Sequence, residues 1–248
     1  MPKQRDELRF LLIECRLDQR MIDHERDCLA RAGQLSNEQF EILDLTKQSI
    51  SPDLLDRYDG VFIGGTGDYS VAQDRPEFFA PLVDLTREML TKKVPLMGLC
   101  YGFHLMAHAV GGKVETREDL EETGTYQVNL TSEGQHDEIL GGLEASFPAQ
   151  QGHHDVVIDM PGEFVRLAGS ERCRWQAFRH PEAPYYGLQF HPELRREDFM
   201  LRMQVYAQSY ASTPEAYAEI DARVKETENQ EVIRAFVDKI VMGQPVSG

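Results

Sequence analysis

Two short segments hold the residue types that could do covalent chemistry. Gly98-Leu99-Cys100-Tyr101-Gly102 has the form GxCxG and lies between an apolar run and a helix-like run. A thiol at such a strand-to-helix turn sits on a nucleophile elbow, and the flanking glycines admit the close strand–helix packing that the turn forces. The helix N-terminus behind it offers free N–H groups and the positive end of the dipole, which favour a thiolate. The backbone N–H of Tyr101 can donate to an oxyanion. A lone cysteine is more often a buried structural thiol; the glycine frame is what moves the balance toward a nucleophile.

The second segment is Gly187-Leu188-Gln189-Phe190-His191-Pro192-Glu193. An apolar run delivers His191 at its end, Pro192 stops the strand, and Glu193 can fold back to accept from the imidazole. A thiol, a histidine and a carboxylate that fixes its tautomer make a triad for acyl transfer. A third segment, Gly64-Gly65-Thr66-Gly67, also follows an apolar run. Ligands bind outside the carboxyl ends of strands in doubly wound sheets, so its backbone can turn an N–H toward the thiol. It lacks the Lys-Ser/Thr of a P-loop and the GxGxxG spacing, which argues against a phosphate cradle.

The elements that must position these residues follow from periodicity. Short apolar or alternating runs at Leu8–Ile13, Gln39–Leu45, Tyr58–Ile63 and Val94–Leu99 read as strands. Helical patterns cover Asp18–Ala32, with Gly33 as its C-terminal cap, then Pro76–Lys92 and Phe103–Val110, which Gly111-Gly112 ends. Pro52–Tyr58 reads as a short helical or turn segment. This alternation predicts an α/β fold, an open and mostly parallel sheet with helices on both faces. Later strand-like pieces at Thr125–Leu130, Asp155–Ile158, Phe164–Ala168, Arg174–Phe178 and Tyr185–Phe190 are expected to join the same sheet. From Arg195 the chain is charged and helical, with a break at Ser212-Thr213-Pro214, and its helices are expected to present a solvated face. The expected division is a domain over 1–194 and a C-terminal helical extension over 195–248 packed on it.

With 248 residues the chain can bury a sizeable core. Its net charge of −16 argues against nucleic acid and anionic membrane surfaces as partners. It has no apolar run of about 18 residues, so no membrane span is expected. Four scattered cysteines, Cys15, Cys28, Cys100 and Cys173, with no CxxC pair, fit free thiols in a reducing cytoplasmic setting. His153, His154 and Asp155 are adjacent, but neighbouring histidines point apart in an extended chain. A structural or substrate-rim role is expected for them, with no metal and no cofactor. Met89, Met97, Met106 and Trp175 read as core.

Taken together, VPLMGLCYGFHLMAHAVGGKVE, GGTGDYS and YYGLQFHPE resemble the class I glutamine amidotransferase family, and GHHDVVIDMPGEF is similar to the segment of its GMP synthetase glutaminase domain that contains His-x-Asp. The resemblance runs from about Leu8 to Glu193. It implies a flavodoxin-like sheet and no cofactor. It implies that Cys100 forms a γ-glutamyl thioester, that His191 protonates the leaving ammonia and then activates water, and that Glu193 holds His191. It also implies oxyanion donors at Gly65 and Tyr101. The family's CxGxQ frame here ends in His104, and its Gly-Gly-Pro loop here has Thr66; these two and His153 are the expected substrate-binding residues.

Three functions follow. The first is hydrolysis of the glutamine side-chain amide, with ammonia passed to a synthetase or other acceptor partner, since no synthetase segment follows in this sequence. The second is a stand-alone γ-glutamyl peptidase or hydrolase acting on a γ-glutamyl compound. The third is a non-catalytic binding subunit, against which the intact Cys100, His191 and Glu193 argue. The sequence leaves the oligomeric state open.

Overall fold

The computed structural model describes residues 3–51, 54–207 and 213–243. The first half alternates strand and helix: β1 (Phe10–Glu14), α1 (Gln19–Gly33), β2 (Phe40–Asp44), β3 (Gly60–Ile63), α2 (Phe79–Lys92), β4 (Leu96–Leu99) and α3 (Tyr101–Ala109). The second half is richer in strands: β5 (Lys113–Thr116), β6 (Glu122–Leu130), a one-turn α4 (Ser132–Gln135), β7 (Ser146–His153), β8 (Asp155–Asp159), β9 (Val165–Ser170), β10 (Ala177–Arg179) and β11 (Tyr185–Leu188). The chain ends with α5 (Arg196–Val205), α6 (Pro214–Arg223), α7 (Glu231–Ala235) and a π-helical turn over Phe236–Val241.

Nine strands form one sheet in the order β2-β1-β3-β4-β11-β10-β9-β6-β7. It is parallel from β2 through β11 and antiparallel from β11 through β7. Alternating side chains divide the core. Leu11, Ile13, Val61, Ile63 and Leu96 pack under α2 and α3, with Met89 and Met106 as filling and Trp175 at the margin. Phe10, Leu12, Phe62, Met97 and Leu99 pack on the other face against Leu29 and Ala30 of α1 and against Val232, Ile233, Phe236 and Val237. Helices therefore cover both faces of the sheet. Among the described residues no helix is long and apolar enough to cross a membrane.

Register sets the position of the site. Ile63 pairs with Gly98, and Leu99 pairs with Leu188 in the parallel ladder. The loops that leave β3, β4 and β11 therefore emerge at one rim, carrying Gly64–Gly67, Cys100 and His191.

Several expectations need correction. The segment at 155–158 does not join the main sheet; β8 pairs with β5 in a separate two-stranded sheet. Neither β5 nor β7 was expected, because Lys113–Thr116 is largely polar and Ser146–His153 carries buried Gln150 and Gln151 where a strand pattern would have apolar residues. Gly33 is the last residue of α1, and the left-handed cap falls on Gln34 (φ 52°). Gly33 is needed instead for close approach, since a Cβ there would stand 3.1 Å from Leu35 and 3.5 Å from Ile233. Pro52 and Asp53 lie outside the described residues, and Leu54–Arg57 form a 3-10 turn. Ser212 also lies outside them. Thr213 caps α6 by accepting from Ala216 N, with Pro214 in the first turn, as helix starts favour. The C-terminal helices are less solvated than expected. In α5, Asp198, Phe199, Met200, Arg202 and Met203 are all buried, and Phe199 and Met203 pack with Cys28 of α1.

Phe236 stacks edge-on to Phe62 (5.5 Å between centroids) and near Tyr186 (6.3 Å) and is fully buried. Phe236→Ala is expected to destabilise the fold by about 3–5 kcal/mol, through lost burial and the cavity left behind. The urea unfolding midpoint measures this, and an unchanged midpoint would mean the C-terminal turn is not part of the core.

Candidate active site

The turn after β4 leaves no spare volume. A Cβ on Gly98 would collide with Met106 Sδ and the Gly102 backbone, and one on Gly102 would collide with Ile63 O of the neighbouring strand. Cys100 sits between them with φ 50° and ψ −96°, a positive φ that a side chain rarely adopts. Its backbone is fixed at both ends, its N–H donating to Leu188 O (2.9 Å) and its carbonyl accepting from His104 N (3.0 Å). The thiol points to the rim and donates to Gly152 O of β7 at 3.6 Å. Tyr101 opens α3, so its N–H has no acceptor within the helix.

His191 follows β11. Its N–H is anchored on Gln150 O (3.0 Å), and its ring Nδ1 lies 2.8 Å from Glu193 Oε1. Both side chains are buried. Burial works to lower the His191 pKa, but the adjacent Glu193 charge and hydrogen bonds to Cys100 and Glu193 outweigh it and raise the pKa to about 9. The imidazole is therefore protonated at neutral pH, with Glu193 behind it and the Cys100 sulfur in front. The structure thus brings Cys100 together with His191 and Glu193 from two separate segments.

The cleft beside the sulfur encloses about 240 Å³ and is lined by Thr66, Tyr69, Cys100, Tyr101, His104 and His153, with Asp68, Asp74 and Asp155 among the remaining walls. Thr66 Oγ1 accepts from Asp68 N (3.0 Å) and shapes its own loop. His104 is buried, and its Nε2 lies 2.6 Å from Gln189 Oε1. Burial lowers its pKa to about 4, so the ring is neutral. His153 walls the cleft while its ring nitrogens face Asp155 O (2.9 Å) and Glu122 Oε2 (3.2 Å). His154 also lines the cleft, and its Nδ1 lies 2.7 Å from Glu121 Oε2.

Gly65 lies beside both His191 and Cys100. A Cβ there would be 3.1 Å from His191 Cε1 and 3.6 Å from Cys100 Cβ. Its N–H, however, donates to Glu25 Oε1 at 2.9 Å. Glu25 belongs to a buried ionic group that sequence reasoning missed. Arg16 Nε donates to Glu25 Oε2 (2.9 Å) and Arg16 Nη1 to Tyr206 Oη (3.2 Å). Arg202 Nη2 lies 3.5 Å from Glu25 Oε2, and Arg202 Nη1 donates to Glu193 Oε1 at 3.2 Å. The signal available in the sequence is weak: Arg16 follows the apolar run of β1, and Arg202 stands between Met200 and Met203.

Among the described residues two clusters have donor atoms close enough for a metal ion, Glu122–His153–Cys173 and His24–Cys28–Asp198. In the first, Glu122 already accepts from Ser170 Oγ (2.7 Å) and Gln176 Nε2 (2.6 Å), and burial pushes the Cys173 thiol up to about 12. In the second, Arg31 pairs with Asp198 and Arg202 Nε stands 3.5 Å from His24 Nδ1, so cations already surround the group. Neither donor set suits a metal.

Comparison with known proteins places the family and the fold. The model of the glutamine amidotransferase class-I family matches residues 22–205. A subunit of the glutamine-hydrolyzing GMP synthase of Methanopyrus kandleri is 37% identical over 147 residues, 59% of this chain and 73% of that protein. A longer glutamine-hydrolyzing GMP synthase of Aliivibrio salmonicida is 38% identical over 110 residues, and the match spans 44% of this chain but only 20% of that protein's length. In three dimensions a glutamine amidotransferase from Thermotoga maritima superposes with a TM-score of 0.76 at 23% identity, over 94% of this chain and 98% of that one, which speaks to the fold. This chain belongs to the class-I glutamine amidotransferase family.

Proposed function

We propose that this protein hydrolyses the side-chain amide of glutamine through a thioester on Cys100 and passes the ammonia to a synthetase-type partner. The observation that carries this reading is the His191 Nδ1 to Glu193 Oε1 bond of 2.8 Å, with the His191 ring and Cys100 both lying against Gly65. In this reading the Cys100 thiol has given its proton to His191, the thiolate attacks the amide carbon, and the carbonyl oxygen becomes an oxyanion against the Tyr101 N–H. His191 gives its proton to the departing nitrogen, so ammonia leaves and a γ-glutamyl thioester remains. The now neutral His191 then takes a proton from water, which attacks the thioester and releases glutamate. Glu193 holds the imidazole in one tautomer throughout. The relatives named as separate subunits of a glutamine-hydrolyzing GMP synthase support a synthetase on another chain as the acceptor of ammonia.

One observation favours the second reading, a stand-alone γ-glutamyl hydrolase. His104 Nε2 is paired with Gln189 Oε1 at 2.6 Å. That nitrogen is then not free to hold the amino-acid end of glutamine. Turnover of γ-glutamyl peptides without turnover of glutamine would favour the hydrolase, and ammonia release that rises on adding a synthetase would favour the amidotransferase.

Cys100→Ala is expected to reduce ammonia release from glutamine by roughly 10⁴-fold or more, as loss of a nucleophile does. Retention of wild-type turnover by this variant in a coupled glutamate assay would exclude the thioester. The pH dependence has a definite sign. An imidazole held above its ordinary value keeps its proton until pH rises through about 9. Since the protonated ring delivers the leaving-group proton, kcat/KM for glutamine is expected to fall on the alkaline side with an inflection near 9. A profile that instead declines through the ordinary histidine range would assign the acid to another group.

A further inference from the structure

Arg202 lies on α5 and stands behind the site as an almost fully buried cation, 3% exposed. Its Nη1 donates to Glu193 Oε1 at 3.2 Å and stands 3.5 Å from His191 Nδ1. Its Nη2 approaches Glu25 Oε2 at 3.5 Å. Glu25 in turn accepts the Gly65 N–H at 2.9 Å. A continuous line therefore runs from the imidazole through Glu193, Arg202 and Glu25 to the loop beside the thiol.

Resting on the reading of Cys100, His191 and Glu193 given above, we propose that Arg202 is a positioning residue of this site, a single guanidinium that holds the carboxylate orienting the base and the carboxylate anchoring the Gly65 loop. The planar fork of arginine reaches two carboxylates at once, which a lysine ammonium on a flexible stem does not. Glu193 Oε2 has no hydrogen-bond partner, so the polar contacts of this carboxylate run through Oε1, which His191 and Arg202 share. Moving Arg202 therefore moves the one oxygen that sets the imidazole. It also leaves Glu25 with Arg16 as its remaining arginine contact.

A purely structural arginine and a positioning arginine differ in what they do to the Cys100–His191 pair. The charged and titratable groups facing His191 are Cys100 at the start of α3, Glu193 in its own segment, Arg202 on α5 and Glu25 on α1, with Glu14 of β1 and Arg16, in the loop after it, behind Glu25. Loss of the Arg202 charge removes a cation 3.5 Å from Nδ1 and shifts titration of the pair upward.

The experiment measures two quantities on the full chain, with folding checked by circular dichroism. One is the rate of Cys100 alkylation by iodoacetamide as a function of pH, which needs no turnover. The other is kcat and KM for glutamine. Arg202→Met is expected to lower kcat by roughly 10- to 100-fold with KM changed less than about threefold, as a misplaced catalytic group does. The inflection of its alkylation profile is expected to move up by at least about half a pH unit. Arg202→Lys keeps the charge and loses the fork, so its inflection stays near wild type while kcat still falls. A folded Arg202→Met protein with the wild-type inflection and wild-type kcat overturns the proposal. Should Arg202→Met not fold, Arg202→Lys decides it, wild-type kcat counting against. Wild-type protein that releases no ammonia from glutamine defeats the glutaminase reading instead. In that case the alkylation inflection of the Arg202 variants still decides the role of Arg202.

Discussion

The site depends first on a turn with no room in it. Cys100 holds a positive φ, which for a residue with a Cβ costs on the order of 1–3 kcal/mol. That cost is sustained because the turn is clamped on every side. Its N–H is taken by β11, its carbonyl by α3, and the glycines at 98 and 102 let Met106 and Ile63 close on it. The same packing puts the sulfur at the first turn of α3 and opposite β7, at the rim where β3 and β11 also end. A looser turn would relax the cysteine and carry the sulfur away from His191.

Behind this turn lies an unusual amount of buried charge. Two buried arginines face three buried glutamates, and such a group is costly to assemble unless the charges meet. The glutamates do not share one condition. Glu25 is held down to about 2, because Arg16 and Arg202 outweigh its burial. Glu14 goes the other way, raised well above the ordinary carboxylate range by burial and by the nearby Glu25 charge, and neither of its oxygens makes a hydrogen bond. Arg16, Arg202 and His191 face the Glu25 and Glu193 carboxylates, and Arg16 Nε also stands 3.5 Å from Glu14 Oε2.

What the sequence made legible was whatever local geometry dictates. GxCxG is a turn that needs glycine on both sides, and His-Pro-Glu is a strand end with a carboxylate two residues away. Both can be read because their reasons lie within a few residues. The parallel half of the sheet was legible for the same reason, since each strand is an apolar run bounded by a loop. Glu25, Arg16 and Arg202 were not. Each lies in a stretch whose charge reads as solvated, and each is buried against an opposite charge that another segment supplies. Strand β7 escaped because Gln150 and Gln151 fill interior positions where an apolar residue would mark a strand, held by Lys225 O and Gln176 respectively.

The same contrast bears on the oxyanion donors. Tyr101 N–H is available by position alone, since it opens a helix. Gly65 N–H is spent on Glu25 in this structure, and a hydrogen directed at a buried carboxylate cannot at the same time be fully given to an oxyanion. Thr66, standing where the family commonly has proline, does not restrict the backbone of the residue before it as proline would, so Gly65 retains the freedom to rotate that amide. The strength of the Glu25 hold is in turn set by how much of its charge Arg16 and Arg202 neutralise. A carboxylate closely paired with two guanidiniums is a weaker competitor for an N–H than a lone one. The arginine contacts therefore reach the proposed oxyanion donor as well as the proposed base, and Cys100 is flanked on both sides by groups whose placement is decided in α1 and α5.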